Sequence, residues 1–238
     1  MGDLSVGLAQ HRLAGRTPTI IFLPGYASDM SGSKAVALED WARGHGQAFV
    51  RFDYRGCGES PGVFEDFTLD DWRDDALAII DNIQGPVIFV GSSMGGWIML
   101  LAALARPERI VGLVGIAAAP DFTNWGLDAA NVATLEREGR IAELSDYGPE
   151  PTVTTHAFWK SGQANLLLED AIAIDVPIRL IHGQCDPDVP WQHSLRLAGL
   201  LRSDDVQVIL IKDGDHRLSR DQDIKLLIAT LEGLVESL

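Results

Sequence analysis

The stretch Pro86-Val87-Ile88-Phe89-Val90-Gly91-Ser92-Ser93-Met94-Gly95-Gly96 runs from an apolar β-like segment into an apolar helix through two serines fenced by glycines. Its middle, Gly91-Ser92-Ser93-Met94-Gly95, fits the pattern G-x-S-x-G centred on Ser93. A strand-to-helix turn this sharp strains the backbone of its central residue, and glycines two positions to either side leave room for it. The strain presents the hydroxyl above the sheet, where the N–H groups and dipole of the next helix favour developing negative charge. Ser93 therefore reads as a nucleophile. Ser92, without the matching glycine frame, reads as a small turn residue. The helix that follows, "MGGWIMLLAALARPERI", is apolar nearly all round until Arg106 and Pro107, which predicts a buried central helix.

Outward from this turn, short runs rich in Ile, Val and Phe alternate with helical stretches, the pattern of a largely parallel sheet covered on both faces. Strands are predicted over 4–13, 19–23, 48–53, 86–91, 110–117, 177–182 and 206–211. Helices are predicted over 34–44, 69–83, 94–106, 191–202 and 221–235. The alternation lapses only at 120–175, where helical pieces such as "ANVATLEREGRIAEL" and the turn "YGPEP" suggest an inserted cap. The expected organisation is an α/β core of residues 1–119 and 176–238, with 120–175 as the cap.

The chain has 238 residues, almost half of them apolar, enough to bury one sizeable core. Thirty-four acidic against nineteen basic residues give a net charge of -15, which repels nucleic-acid phosphates and anionic lipid surfaces. Neither nucleic acid nor a stable membrane association is expected. There is no run of eighteen apolar residues, and the opening "MGDLSVGLAQHRLAGR" lacks the basic-then-apolar layout of a secretion signal. A cytoplasmic location is the expectation. Cys57 and Cys185, in separate segments, suggest neither a disulfide framework nor a zinc site.

A serine hydroxyl is a weak nucleophile at neutral pH, so a base and a group that orients the base are needed. Both lie downstream. The segment "PIRLIHGQCDPDVP" is a strand followed by a loop with Asp186 and Asp188, and "VQVILIKDGDHRLS" is a strand followed by a loop with His216. Each candidate sits past the C-terminal end of its strand, where open α/β sheets place their sites. The order serine, aspartate, histidine is one of the known triad orders. His182, His193, His11, His45 and His156 lack such a context: His182 reads as a strand-end hydrogen bond and the rest as surface polarity. Asp215 reads as loop structure.

The segments "FLPGYASDMSG", "RFDYRGCGES", "GSSMGG", "HGQCDPDVP" and "DGDHRLS" together resemble the α/β-hydrolase superfamily along nearly the whole chain. Within it, "HRLAGRTPTIIFLPGYASDMSGSKA" with "RFDYRGCGES" most resembles the abhydrolase domain-containing protein ten group, whose members act as acyl-protein thioesterases and acyl-glucuronide esterases. The resemblance implies an α/β-hydrolase fold and no cofactor or metal. It assigns Ser93 as nucleophile, His216 as base and Asp186 as acid, through similarity to H-G-x-x-D-x-x-V-P, with Asp188 as the rival acid. It also implies an oxyanion hole made by the backbone N–H of Met94 and that of Tyr26, with Ala27 as the alternative to Tyr26. Family strand order separates Cys57 from Cys185 too far for a disulfide.

The expected activity is hydrolysis of carboxylic ester or thioester bonds of small or medium acyl substrates, including acylated peptides, through an acyl-Ser93 intermediate. A carbon–carbon bond hydrolase on the same triad and a non-catalytic ligand-binding receptor are the alternatives. Phe122, Trp125, Tyr147, Phe158 and Trp159 could either roof an apolar acyl group or form a private core of the cap. Arg55, Lys34 and Arg217 are the cations expected near the sheet's C-terminal edge, as solvated charges or as partners of a substrate carboxylate.

Overall fold

The computed structural model describes residues 7–144 and 151–238. Strands are β1 (Gln10–Leu13), β2 (Arg16–Leu23), β3 (Gln47–Phe52), β4 (Val87–Ser92), β5 (Ile110–Ile116), β6 (Arg140–Glu143), β7 (Thr152–Thr155), β8 (Ile178–Gly183) and β9 (Val206–Ile211). Helices are α1 (Ser33–His45), α2 (Leu69–Asp81), α3 (Met94–Ala105), α4 (Phe122–Trp125), α5 (Ala129–Glu138), α6 (His156–Gln163), α7 (Gln192–Leu200) and α8 (Asp221–Glu236). Seven strands form one sheet in the order β1-β3-β2-β4-β5-β8-β9. Only β1 runs antiparallel, against β3; the remaining pairings are parallel. The order of strands turns back at β2 and β4, which opens a crevice past their C-terminal ends.

Both faces of the sheet are buried, because side chains alternate across each strand. On β2 and β4, Ile21, Leu23, Val87 and Phe89 face a core shared with α2 and α3. Their neighbours Ile20, Phe22, Ile88 and Val90 face the opposite core, closed by Ala35, Leu38 and Ala42 of α1 and Leu227, Leu231 and Leu234 of α8. Helix α3 is buried from Met94 to Ala103, as its all-apolar sequence predicts. Helix α2 starts on a capping box in which Thr68 and Asp71 each bond the other's backbone N–H.

Two segments depart from the sequence expectation. Among the described residues the first strand begins at Gln10, and positions 4–6 of the expected strand lie outside them; before it, the Ala9 N–H donates to Ser60 Oγ and its carbonyl accepts from the Asp53 N–H, both outside the ladder. In the inserted segment, the helical pattern of 130–144 splits. Gly139, at φ 81°, closes α5 as its left-handed C-cap, and the next four residues pair with β7 as a two-stranded antiparallel ribbon. A glycine at that point in a helical pattern is a stop, and Ile141 is too isolated to signal a strand. Among the described residues, no helix is long and apolar enough to cross a membrane.

Candidate active site

Ser93 stands between the last residue of β4 and the first of α3, with φ 54° and ψ -119°, a conformation that non-glycine residues rarely adopt. The flanking glycines make this turn possible. A Cβ on Gly91 would strike the Gly95 carbonyl, and one on Gly95 would strike the carbonyl oxygen of Leu23. Three backbone bonds hold the strained residue: its N–H donates to the Ile116 carbonyl, and its own carbonyl accepts from the N–H groups of Gly96 and Ala119. Ser92 ends β4, paired with Ile116, so it is a strand residue and not the turn residue expected.

The loops after β8 and β9 bring Asp186 and His216 to this hydroxyl. His216 Nε2 lies 3.1 Å from Ser93 Oγ, and His216 Nδ1 lies 2.8 Å from Asp186 Oδ2. The Asp186 carboxylate has no solvent exposure, and the imidazole of His216 retains 14%. Burial pushes the Asp186 carboxyl up, but hydrogen bonds from His182 and His216, the charge of His216 and the Val189 N–H outweigh it and hold the group well below the usual carboxylate range. Asp186 Oδ1 accepts from the N–H groups of Asp188 and Val189, both at 2.9 Å. Asp188 thus contributes a backbone donor, while its side chain is exposed. Asp186, Asp188 and His216 place potential metal-ligating atoms within 4.8 Å of one another, yet both Asp186 oxygens are already committed to these hydrogen bonds.

The loop after β2 passes directly against Ser93: a Cβ on Gly25 would sit 3.4 Å from the Ser93 Cβ. Among hydrogen bonds of the described residues, neither the Tyr26 N–H nor the Met94 N–H has an acceptor. The Met94 N–H is the first of α3, one of the donors a helix cannot satisfy internally. Ala27 adopts φ 52° in the same loop. The phenol of Tyr26 donates to the Val153 carbonyl of β7 at 2.7 Å, and its ring packs against Phe64, Trp72, Phe122 and Phe158.

A cavity of about 830 Å³ surrounds Ser93 and His216. Tyr26, Phe64, Phe122 and Val153 give it an apolar side, and Ser28, Asp29, Ser33 and Lys34 a polar one. Of the five aromatics considered for the roof, Phe122 lines the cavity. Phe158 is buried beneath Tyr26, Trp125 stacks on His193 at 4.3 Å and Trp159 on His156 at 5.6 Å, all as local packing. Tyr147 falls outside the described residues. His193 is therefore half-buried against a ring, not the surface polarity expected.

The three cations separate. Lys34 and Arg217 line the cavity, with the Lys34 ammonium donating to the Arg217 carbonyl. Burial, then the charge of Arg217, lowers the Lys34 pKa to about 8. Arg55, partly exposed, is not among the residues lining the cavity: its Nε bonds the buried Asp75 at 2.6 Å and its guanidinium lies over Phe67. Cys57 is buried, its thiol pushed up to about 12 by burial first and nearby carboxylates next, while Cys185 is exposed; both are free, as their separated strands predict. Asp215 serves its loop by accepting from the Leu218 N–H. The residue that sequence reasoning missed is His182, whose Nε2 lies 3.1 Å from the same Asp186 oxygen that meets His216.

Residues 20–229 match the sequence model described as the alpha/beta hydrolase family. Over 236 residues the chain is 46% identical to mouse palmitoyl-protein thioesterase ABHD10, mitochondrial, covering 97% of this chain and 80% of that protein. The solved structure of alpha/beta hydrolase domain-containing protein 10 from mouse superposes with a TM-score of 0.90 at 44% identity, covering 97% of this chain and 94% of that one. A putative hydrolase from Agrobacterium vitis S4 gives a TM-score of 0.91 at 40% identity, covering 95% and 92%. The mouse thioesterase is named as mitochondrial, which overturns the cytoplasmic location expected for this chain. That expectation rested on a missing secretion signal, and mitochondrial leaders do not have the basic-then-apolar layout that was sought. With the family matched over most of its length and a relative this similar along nearly all of it, the chain belongs to the alpha/beta hydrolase family, in the group of abhydrolase domain-containing protein 10.

Proposed function

We propose that Ser93, His216 and Asp186 act as a nucleophile–base–acid triad that hydrolyses ester and thioester bonds of acyl substrates. The observation that carries this reading is the continuous hydrogen-bonded chain from Ser93 Oγ through His216 to buried Asp186, opening on a cavity of about 830 Å³. His216 Nε2 takes the Ser93 proton as Oγ attacks the acyl carbonyl. The oxyanion that forms is met by the Met94 and Tyr26 N–H groups. Collapse of the tetrahedral species releases the leaving thiol or alcohol, protonated by His216, and leaves acyl-Ser93. Water, giving its proton to His216, then cleaves the acyl-enzyme to the free acid. Asp186 keeps His216 Nδ1 protonated and stabilises the imidazolium formed in both halves.

The cavity volume lies within the range of about 300–1,000 Å³ usual for small-molecule sites. Residues 120–175 act as a cap, supplying Phe122 and Val153 to the apolar side. The mouse relative is named a palmitoyl-protein thioesterase, so S-palmitoyl peptides join short- and medium-chain esters as substrates of first choice. A fluorophosphonate probe should modify Ser93, and Ser93→Ala should resist it. The accompanying panel is p-nitrophenyl esters of increasing length, S-acyl peptides up to palmitoyl, an acyl glucuronide, and triolein emulsion as counter-substrate. Absence of both labelling and turnover would move the reading to a ligand-binding receptor, and faster turnover of triolein emulsion than of the soluble substrates would contradict the substrate class.

A further inference from the structure

His182, one residue before the end of β8, has no solvent exposure and has both ring nitrogens engaged. Its Nε2 faces two acceptors, Asp186 Oδ2 at 3.1 Å and the Val189 carbonyl at 3.0 Å. A nitrogen facing a carboxylate and a carbonyl carries the hydrogen and shares it between them. Its Nδ1 lies 2.7 Å from the hydroxyl of Ser194, a buried residue of α7. The Ser194 hydroxyl, able to donate or accept, holds the ring from that side. The imidazole is thus locked in orientation by β8, α7 and the Val189 loop together.

Asp186 Oδ2 consequently receives two imidazole N–H groups, from His182 and from His216. We propose that His182, held by Ser194, is a positioning residue for the hydrolytic site: it aims the Asp186 carboxylate at His216 and withdraws part of the negative charge that Oδ2 offers to His216. This rests on the triad reading above. A carboxylate relieved of one donor is a stronger partner for protonated His216. With His182 in place, His216 gives up its proton more readily and stays in the neutral form that can accept from Ser93. Other charged or titratable groups facing this assembly are Asp188, Asp215, Arg217 and Lys34 on the cavity side and His193 and Arg196 on α7.

The test compares His182→Met, which keeps bulk and removes the donor, with His182→Gln, whose amide nitrogen reaches the Nε2 position. The readouts are kcat, KM and the pH profile of kcat/KM on a soluble p-nitrophenyl ester, with fluorophosphonate labelling of Ser93 alongside. His182→Met is expected to lose about 10- to 100-fold in kcat with KM little changed. The acid limb of kcat/KM moves to higher pH in His182→Met and returns most of the way in His182→Gln. If His182→Met does not fold, Ser194→Ala is measured in its place, with a smaller loss and the same direction of the limb. Wild-type protein labelled at Ser93, together with a variant whose limb is unmoved or moved to lower pH, overturns the inference and leaves the triad standing. Wild-type protein that neither labels nor turns over overturns the triad and the inference with it.

Discussion

Removing the Ser93 hydroxyl or the His216 imidazole takes away a group that nothing nearby replaces. Ser93→Ala and His216→Ala should each lower kcat by about 10⁶-fold with thermal unfolding preserved, because members of a triad act as a unit. Asp186→Asn should cost about 10⁴-fold by allowing the wrong tautomer of His216. Asp188→Asn should remain within a few-fold of wild type, because what Asp188 gives Asp186 is a backbone N–H, which the substitution keeps. A crippled Asp188→Asn beside an active Asp186→Asn would reverse the assignment of the acid. In the wild type, kcat/KM should fall on the acid side as His216 is protonated, and EDTA should leave the rate unchanged. Asp186, held well below the usual carboxylate range, adds no step to that limb. Ser93, His216 and Asp186 were legible because each sits in a loop whose local pattern differs from its surroundings. His182 was not: a histidine at a strand end has the same sequence appearance whether it caps the strand or supports the acid. Its hydroxyl partner, Ser194, is supplied by α7 twelve residues on.

At the scale of elements, the site depends on how closely three loops approach one another. Gly95 lies where α3 meets the end of β2, and any side chain there would meet the carbonyls of Leu23 and Pro24. Gly95→Ala should therefore separate the Ser93 turn from the Tyr26 loop, with loss of both activity and stability in the same melting and turnover measurements. Tyr26 joins the second pair of elements. Its phenol reaches the Val153 carbonyl of β7 while its backbone lines the cavity beside Ser93. Tyr26→Phe removes only that buried bond and should cost about 1–2 kcal/mol of stability in denaturant unfolding, leaving the Ser93 turn competent for labelling by a small probe. An unfolding midpoint equal to wild type would mean that β7 is held to the core by packing alone. Strands β2 to β5, β8 and β9 were readable because apolar runs bounded by Gly and Pro have few alternatives. The β6–β7 ribbon was hidden: its four-residue strands are short and largely polar, β6 mostly exposed and β7 mostly half-buried, and only the pairing between them makes them strands.

Over the whole molecule, the charge of -15 and the buried carboxylates set how stability follows pH. Asp75 of α2 is fully buried under the loop that carries Arg55, and burial first, then the opposing pull of the Arg55 N–H and guanidinium, leaves its pKa at about 6 against an ordinary 3.8. Between these two values the native state retains a proton that the unfolded chain has released, so folding is favoured below the window and this contribution is lost as pH rises through about 6. The displacement is worth about 3 kcal/mol at most. Asp53 and Asp121, raised by burial, act in the same sense. Asp186 acts oppositely, but only as pH falls below the ordinary carboxylate value. His193, lowered by burial, also opposes Asp75 as pH falls through the ordinary histidine range, and self-repulsion among the surface acids adds a term that salt screens. The difference between wild type and Asp75→Asn at high salt isolates Asp75 from all of these. Melting temperature should fall by about 2–4 °C per kcal/mol for a chain of this size. The melting temperature of wild type minus that of Asp75→Asn should therefore drop by about 5 °C or more on going from pH 4 to pH 7 in 0.5 M salt, whatever its absolute sign. A difference that stays flat or grows with pH would show that the Arg55 guanidinium fully offsets the burial of Asp75, and that the pair is held ionised throughout.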